Sequence, residues 1–297
     1  MHPILFLLLS ALVFPIALRA TEHSEEINAW RAKRLKRLTA EEGFLSLSGL
    51  YWLKEGDNNF GSAEDNELVF PAETPAHIGV FTLREGHVSL RIEADTNITQ
   101  RDSLGVERAV QQQEFSALKD ADPEALRMGS LRFYPIERDG RFGVRLKDTQ
   151  SQTRQHFAGI DYFYIDPTWR IEGHFEIFAT PRSIEVPSII GTSAETPWPG
   201  NVVFSVDGQE QRLAIFGELG DKLFFTVFAD ATNGQESYGG GRFIVVEHLG
   251  DGRIIIDFNK AYTPPCAFTP YATCPLPPPQ NRLDVLIEAG ERYSSEH

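Results

Sequence analysis

The 297 residues include 42 Asp and Glu against 28 Lys and Arg, for a net charge of −14. So acidic a body repels nucleic acid and anionic membrane. A chain of this length holds one large or two ordinary domains and buries about 75% of its unfolded surface, so it needs no staples to fold.

Residues 4–18 are an apolar run interrupted by Ser10 and Pro15, and the small residue Ala20 precedes a polar stretch. This predicts a signal peptide over residues 1–20, which sends the rest of the chain to the periplasm or out of the cell. An uncleaved anchor is the alternative, but a spanning helix needs ~20 apolar residues and this run is shorter. No stable membrane insertion is expected once the leader is removed. No cysteine follows the run to accept a lipid.

Residues 21–42 come next. Ile27, Trp30, Leu35 and Leu38 fall near one face of a helix over residues 24–38. The other face carries Arg31, Lys33, Arg34, Lys36 and Arg37. Such a cluster reads as a solvated face that pairs with the protein's own acids, with docking of a phosphate or an acidic partner as the alternative. Thr39-Ala40-Glu41-Glu42 has capping-box spacing and predicts a further helical turn.

Beyond Gly43 the chain changes to short apolar or alternating runs broken by Gly, Asp, Asn and Pro, the punctuation of β-sheet. Strands are expected at 88–92, 169–178, 201–206, 213–216, 223–228, 242–247, 254–258 and 283–287. Two more, 132–137 and 141–147, flank Asp139-Gly140, a strong hairpin signal. The class is therefore all-β after a short N-terminal helix, a sandwich or barrel. Two β-rich parts are expected, residues 43–190 and 191–297, divided within the Pro-, Gly- and Ser/Thr-rich stretch 184–199. The prolines of residues 275–279 cannot join a central strand and should lie extended over the surface.

Residues 60–70, followed by Thr74-Pro75-Ala76-His77, resemble part of a forkhead-associated sandwich. The resemblance implies a small β-sandwich before the C-terminal antiparallel sandwich or barrel. It does not extend to phosphopeptide binding, because Ser62 stands where that family has its phosphate-gripping arginine, and Asn97-Ile98 replaces its Asn-Gly. His77 is read as a turn or packing residue.

The nucleophile elbow, the phosphate and dinucleotide loops and the His-Glu-x-x-His helix are absent, so neither a cofactor nor a metal is expected. Polar residues instead crowd 230–243, which includes three consecutive glycines that let a chain or ligand approach closely. If the strands 242–246 and 254–258 form a hairpin, Asp257 emerges near Arg242, and Glu236, Tyr238, Arg242, Asp257 and Asn259 can converge. Three readings stay open. In a binding module for a small polar or anionic ligand, Arg242 fixes the anion, Tyr238 stacks and Asn259 orients. In a hydrolase, Glu236 and Asp257 serve as acid and base. In a structural module, Arg242 pairs with Asp257 or Glu236.

Cys266 and Cys274, in an oxidising compartment, favour a disulfide closing a small loop; two thiols or half a metal site are the alternatives. The runs 230–243 and 257–282, with 45–60 and 138–148, resemble the family called domain of unknown function 1684, and the chain is identified as a member. The resemblance implies that these runs form one module and assigns no catalytic role.

Overall fold

The computed structural model describes residues 10–93, 95–102, 104–115, 118 and 125–293, with the side chains of residues 10–20 and of Pro181 left aside. The first nine residues of the expected leader fall outside that description. An N-terminal helix, α1 (Ser10–Leu38), precedes a chain that is otherwise mostly strand. No helix among the described residues is long and apolar enough to cross a membrane. Residues 39–42 form turns and not the expected helical turn: the Gly43 amide donates to Ala40 O. The Glu42 carboxylate is taken by Arg127 at 2.8 Å instead of capping a helix.

Two compact units result, Leu38–Phe157 with Phe268–Thr273, and the remainder of the chain. The division therefore lies at residues 157/158, not at 190/191 as expected. Residues 184–199 are instead the outer part of a hairpin between Arg170–Pro187 and Ser193–Val206, paired from Arg182↔Trp198 to Pro187↔Ser193. The neighbouring strands pair only with its inner part, through Arg170–His174 and Gly200–Val206. Beyond that inner part the outer ribbon meets single amides, Leu276 N–H at Pro187 O and Gly217 N–H at Pro197 O, which use the proline carbonyls and so need no proline N–H.

The N-terminal unit is a sandwich of a six-stranded and a five-stranded sheet, the small β-sandwich expected. Phe60, Phe81 and Leu90 from one sheet share a core with Phe133, Val144 and Leu146 from the other. The strands Leu131–Arg138 and Arg141–Asp148 pair in full register. Asp139 (φ 52°) and Gly140 (φ 76°) both take the left-handed conformation that a tight two-residue hairpin requires.

The C-terminal unit is one six-stranded antiparallel sheet. It curls until Phe216, just past one edge strand, and Phe225, within the other, exchange backbone hydrogen bonds of 2.8 and 3.3 Å. Phe175, Val202, Leu213, Phe224, Ile244 and Ile256 fill the inside. Asn281, fully buried after the proline run, sits along the seam. Its amide accepts from the Ala214 N–H at 2.8 Å and donates to Ala214 O and Val227 O, each at 3.0 Å, and to Thr226 Oγ1 at 2.9 Å. One side chain does there what a paired strand would otherwise do. Residues 283–287, expected as a strand, are an irregular strap. Leu283 and Val285 share backbone bonds with Ala229 and Ala231, but the next amide, Ile287 N–H, ends on the Asp230 carboxylate, so the ladder stops.

Replacing Asn281 by Ala orphans buried backbone groups of both edge strands. The expected loss is at least about 2 kcal/mol, read as a lower midpoint in urea with an unchanged slope.

Candidate functional site

The alternation of a strand decides how the expected site residues are distributed. In Arg242–Gly250, Ile244 and Val246 point into the curled sheet, and Arg242, two residues earlier, points the same way. In Arg253–Asp257, Ile254 and Ile256 point inward, so Asp257 faces outward. The two strands do pair antiparallel, as the hairpin reading required. Yet Arg242 and Asp257 reach the same end on opposite faces of the sheet.

Arg242 has no exposed surface and is among the largest fully buried side chains. Its Nη2 donates to Asp230 Oδ2 at 2.7 Å and to Ile287 O at 2.9 Å, and its Nη1 donates to Ala289 O. The guanidinium also lies 5.2 Å from the Phe228 ring centre. Asp230 completes the arrangement by accepting from the amides of Thr232 and Ile287 on its other oxygen. Burial pulls the Arg242 pKa below its ordinary value, and the Asp230 charge opposes that shift. The partner is therefore Asp230, not Asp257 or Glu236.

Asp257 and Asn259 form a second cluster. The Asp257 side chain receives the Asn259 amide and accepts a second hydrogen bond from the Asn259 Nδ2 at 3.0 Å, on the same oxygen. Its other oxygen lies 2.8 Å from His23 Nε2 of α1. Asn259, fully buried, also exchanges hydrogen bonds with the backbone of Asp166.

Eleven residues further along α1, Arg34 extends the same docking. Its Nε donates to Glu291 at 3.0 Å and its Nη2 to Thr263 O at 2.7 Å. Burial raises the Glu291 pKa against the pull of Arg34. The basic cluster is thus divided: Arg34 is buried against an acid of the protein itself, while Lys33, Lys36 and Arg37 stay exposed.

Glu236 stands apart, in an exposed 3.1 Å ion pair with Arg292, and exposed pairs contribute little. Tyr238 packs edge-on against Tyr293, with ring centres 5.2 Å apart. The glycines accommodate this packing. A Cβ on Gly240 would lie 2.4 Å from the Tyr238 ring, and one on Gly241 (φ 92°) would lie 2.5 Å from Pro277. The close approach read from the three glycines is made by the protein's own side chains. Cys266 and Cys274, expected to be bridged, are thiols, with the Cys266 amide directed at Cys274 Sγ across 3.3 Å. Of the five residues expected to converge, only Asp257 and Asn259 touch each other.

Three cavities among the described residues are lined by other side chains. One of about 620 Å³ in the N-terminal unit is bordered by Glu73, Thr74, Ser130, Asp148 and Gln152. A second of about 470 Å³ lies by Glu185, Ser188 and Pro279, and a third of about 270 Å³ by Asn97, Arg127 and Arg132. No group of three or more His, Cys, Asp or Glu side chains among the described residues could hold a metal ion.

The model of a family described as Protein of unknown function (DUF1684) matches residues 155–292. The chain belongs to this family. The DUF1684 match takes in Asp230, Arg242, Asp257 and Glu291 but not α1, nor the runs 45–60 and 138–148. The chain is also similar to an uncharacterized protein of Haloarcula marismortui whose solution structure was determined by NMR. The two are 36% identical over 48% of this chain and 81% of that one, with a TM-score of 0.41. No curated protein matches.

Sequence reasoning passed over Asp230, Asn281, Glu291 and His23. Asp230 did carry a signal, since it opens the polar run that Arg242 closes. Asn281 is an amide following prolines, and the His23–Asp257 and Arg34–Glu291 contacts join residues more than two hundred apart in sequence.

Proposed function

We propose that Asp230 and Arg242, with the loops they tie, act as an internal brace in an exported β-rich scaffold protein, and that Glu236, Tyr238, Arg242, Asp257 and Asn259 form neither a small-anion site nor an acid–base catalytic centre. The observation that carries this reading is the burial of Arg242 with all its donated hydrogen bonds directed at Asp230 and two backbone carbonyls. An arginine used to hold an anion keeps donors directed at open space, and this one is enclosed. The hydrolase reading asks Glu236 and Asp257 to face one cavity. Against it, Glu236 is exposed beside Arg292 while Asp257 is covered by His23.

Export rests on the apolar run before Ala20. Protein recovered from the cell envelope or medium is expected to begin at Thr21 by intact mass; retention in the cytoplasm with the leader attached opposes export.

Arg242→Lys separates the brace from a binding site. Lysine keeps the charge but not the planar fork. The brace reading expects a loss of about 3 kcal/mol and a melting temperature lower by roughly 6–12 °C. A variant that melts like the parent but has lost an affinity for phosphate or sulfate that the parent shows would support the small-ligand reading.

A further inference from the structure

Cys266 and Cys274 are the only cysteines of the chain, and the fold brings them together unequally. The Cys266 amide donates to Cys274 Sγ at 3.3 Å, and the Cys274 and Tyr238 side chains are the neighbours that draw the Cys266 thiol below its ordinary pKa. Cys274 is buried, while Cys266 is partly open to solvent. Between them the chain makes a short excursion whose residues Phe268–Thr273 pack within the N-terminal unit. There Thr269 Oγ1 donates to Leu47 O, Arg145 donates to Thr273 Oγ1, and Phe268 packs edge-on against Phe157.

We propose that Cys266 and Cys274 are a reversible dithiol–disulfide couple that exchanges with disulfides of low-molecular-weight thiols or of other proteins, with Cys266 attacking and Cys274 resolving. The exposed member of such a pair must be the nucleophile and the covered one the resolver. Hydrogen bonds from Cys274 and Tyr238 favour the Cys266 thiolate, and its pKa lies below the ordinary thiol value. Burial, with the Cys266 charge adding to it, raises the Tyr238 hydroxyl, which therefore stays protonated and able to donate.

In the first step the Cys266 thiolate attacks one sulfur of the incoming disulfide. That S–S bond breaks, and the first thiolate leaves with the electron pair and takes up a proton. Cys274 then loses its proton and attacks the Cys266 sulfur of the mixed disulfide, expelling the second thiolate. In total, two electrons and two protons pass from the cysteine pair to the incoming disulfide, which ends as two thiols.

The test incubates the purified protein with oxidised glutathione, quenches with acid and measures intact mass. The parent is expected to finish about 2 Da lighter with no adduct. Cys274→Ser is expected to stall as a glutathione adduct on Cys266, and Cys266→Ser to stay unmodified. Tyr238→Phe should slow the reaction near neutral pH by about tenfold and move its pH midpoint upward, a shift that loss of packing alone would not produce. Native alkylation of the unaltered protein with iodoacetamide, mapped by peptide, serves if a variant does not fold, and Cys266 should react at least about tenfold faster than Cys274. A parent that keeps both thiols in excess oxidised glutathione, or equal reactivity at the two sites, overturns the proposal.

Discussion

The ion pair of Asp230 and Arg242 lies wholly out of water, with both side chains at 0% exposure. An ion held there costs several kcal/mol unless its partner and the surrounding acceptors are in place. That requirement organises the end of the curled sheet. Asp230 and Arg242 bound the polar run of residues 230–242, so their contact draws that run into a closed loop. The Nη1 and Nη2 groups of Arg242 also donate to the tail, at Ala289 O and Ile287 O. The tail then continues through Gly290 (φ 84°), where a Cβ would lie 2.4 Å from Ala261 O. It thereby brings Glu291 to the Thr263 amide and to Arg34.

Helix α1 belongs to the same arrangement from the outer face of the sheet. His23 meets Asp257 and Arg34 meets Glu291, so two carboxylates that the strands and tail present outward are answered by cations or donors from one helix. Ile27, between them, is fully buried. Segments near residues 23–34, 230–242, 257–263 and 287–291 are thus tied into one unit by polar contacts beneath the surface. The hydrophobic inside of the sheet provides the bulk of the burial. The polar contacts specify which loop goes where.

Much of the fold was legible because it depends on local pattern. The strand at residues 223–228 and the hairpin about Asp139-Gly140 follow from alternation and turn chemistry, and both are observed. The site was legible only in part. The pairing of the strands at 242 and 254 was readable, but which face each residue occupies depends on register to a single residue, and that separates Arg242 from Asp257. Prolines at 187 and 197 suggested a domain boundary because proline marks both linkers and strand positions that need no N–H, and here the second is what it marks. Asp230 and Asn281 went unweighted because a buried polar side chain looks like a loop residue until its acceptors are known.

The central claim is that the Asp230–Arg242 pair is an internal structural contact on which the closing loops depend. A double-mutant cycle with Asp230→Leu and Arg242→Met, followed by equilibrium unfolding in urea, tests it most directly. Each single change leaves an unpaired buried charge and is predicted to cost about 3–5 kcal/mol, while the double change recovers most of that loss. Singles within about 0.5 kcal/mol of the parent, or losses that simply add, would contradict the account.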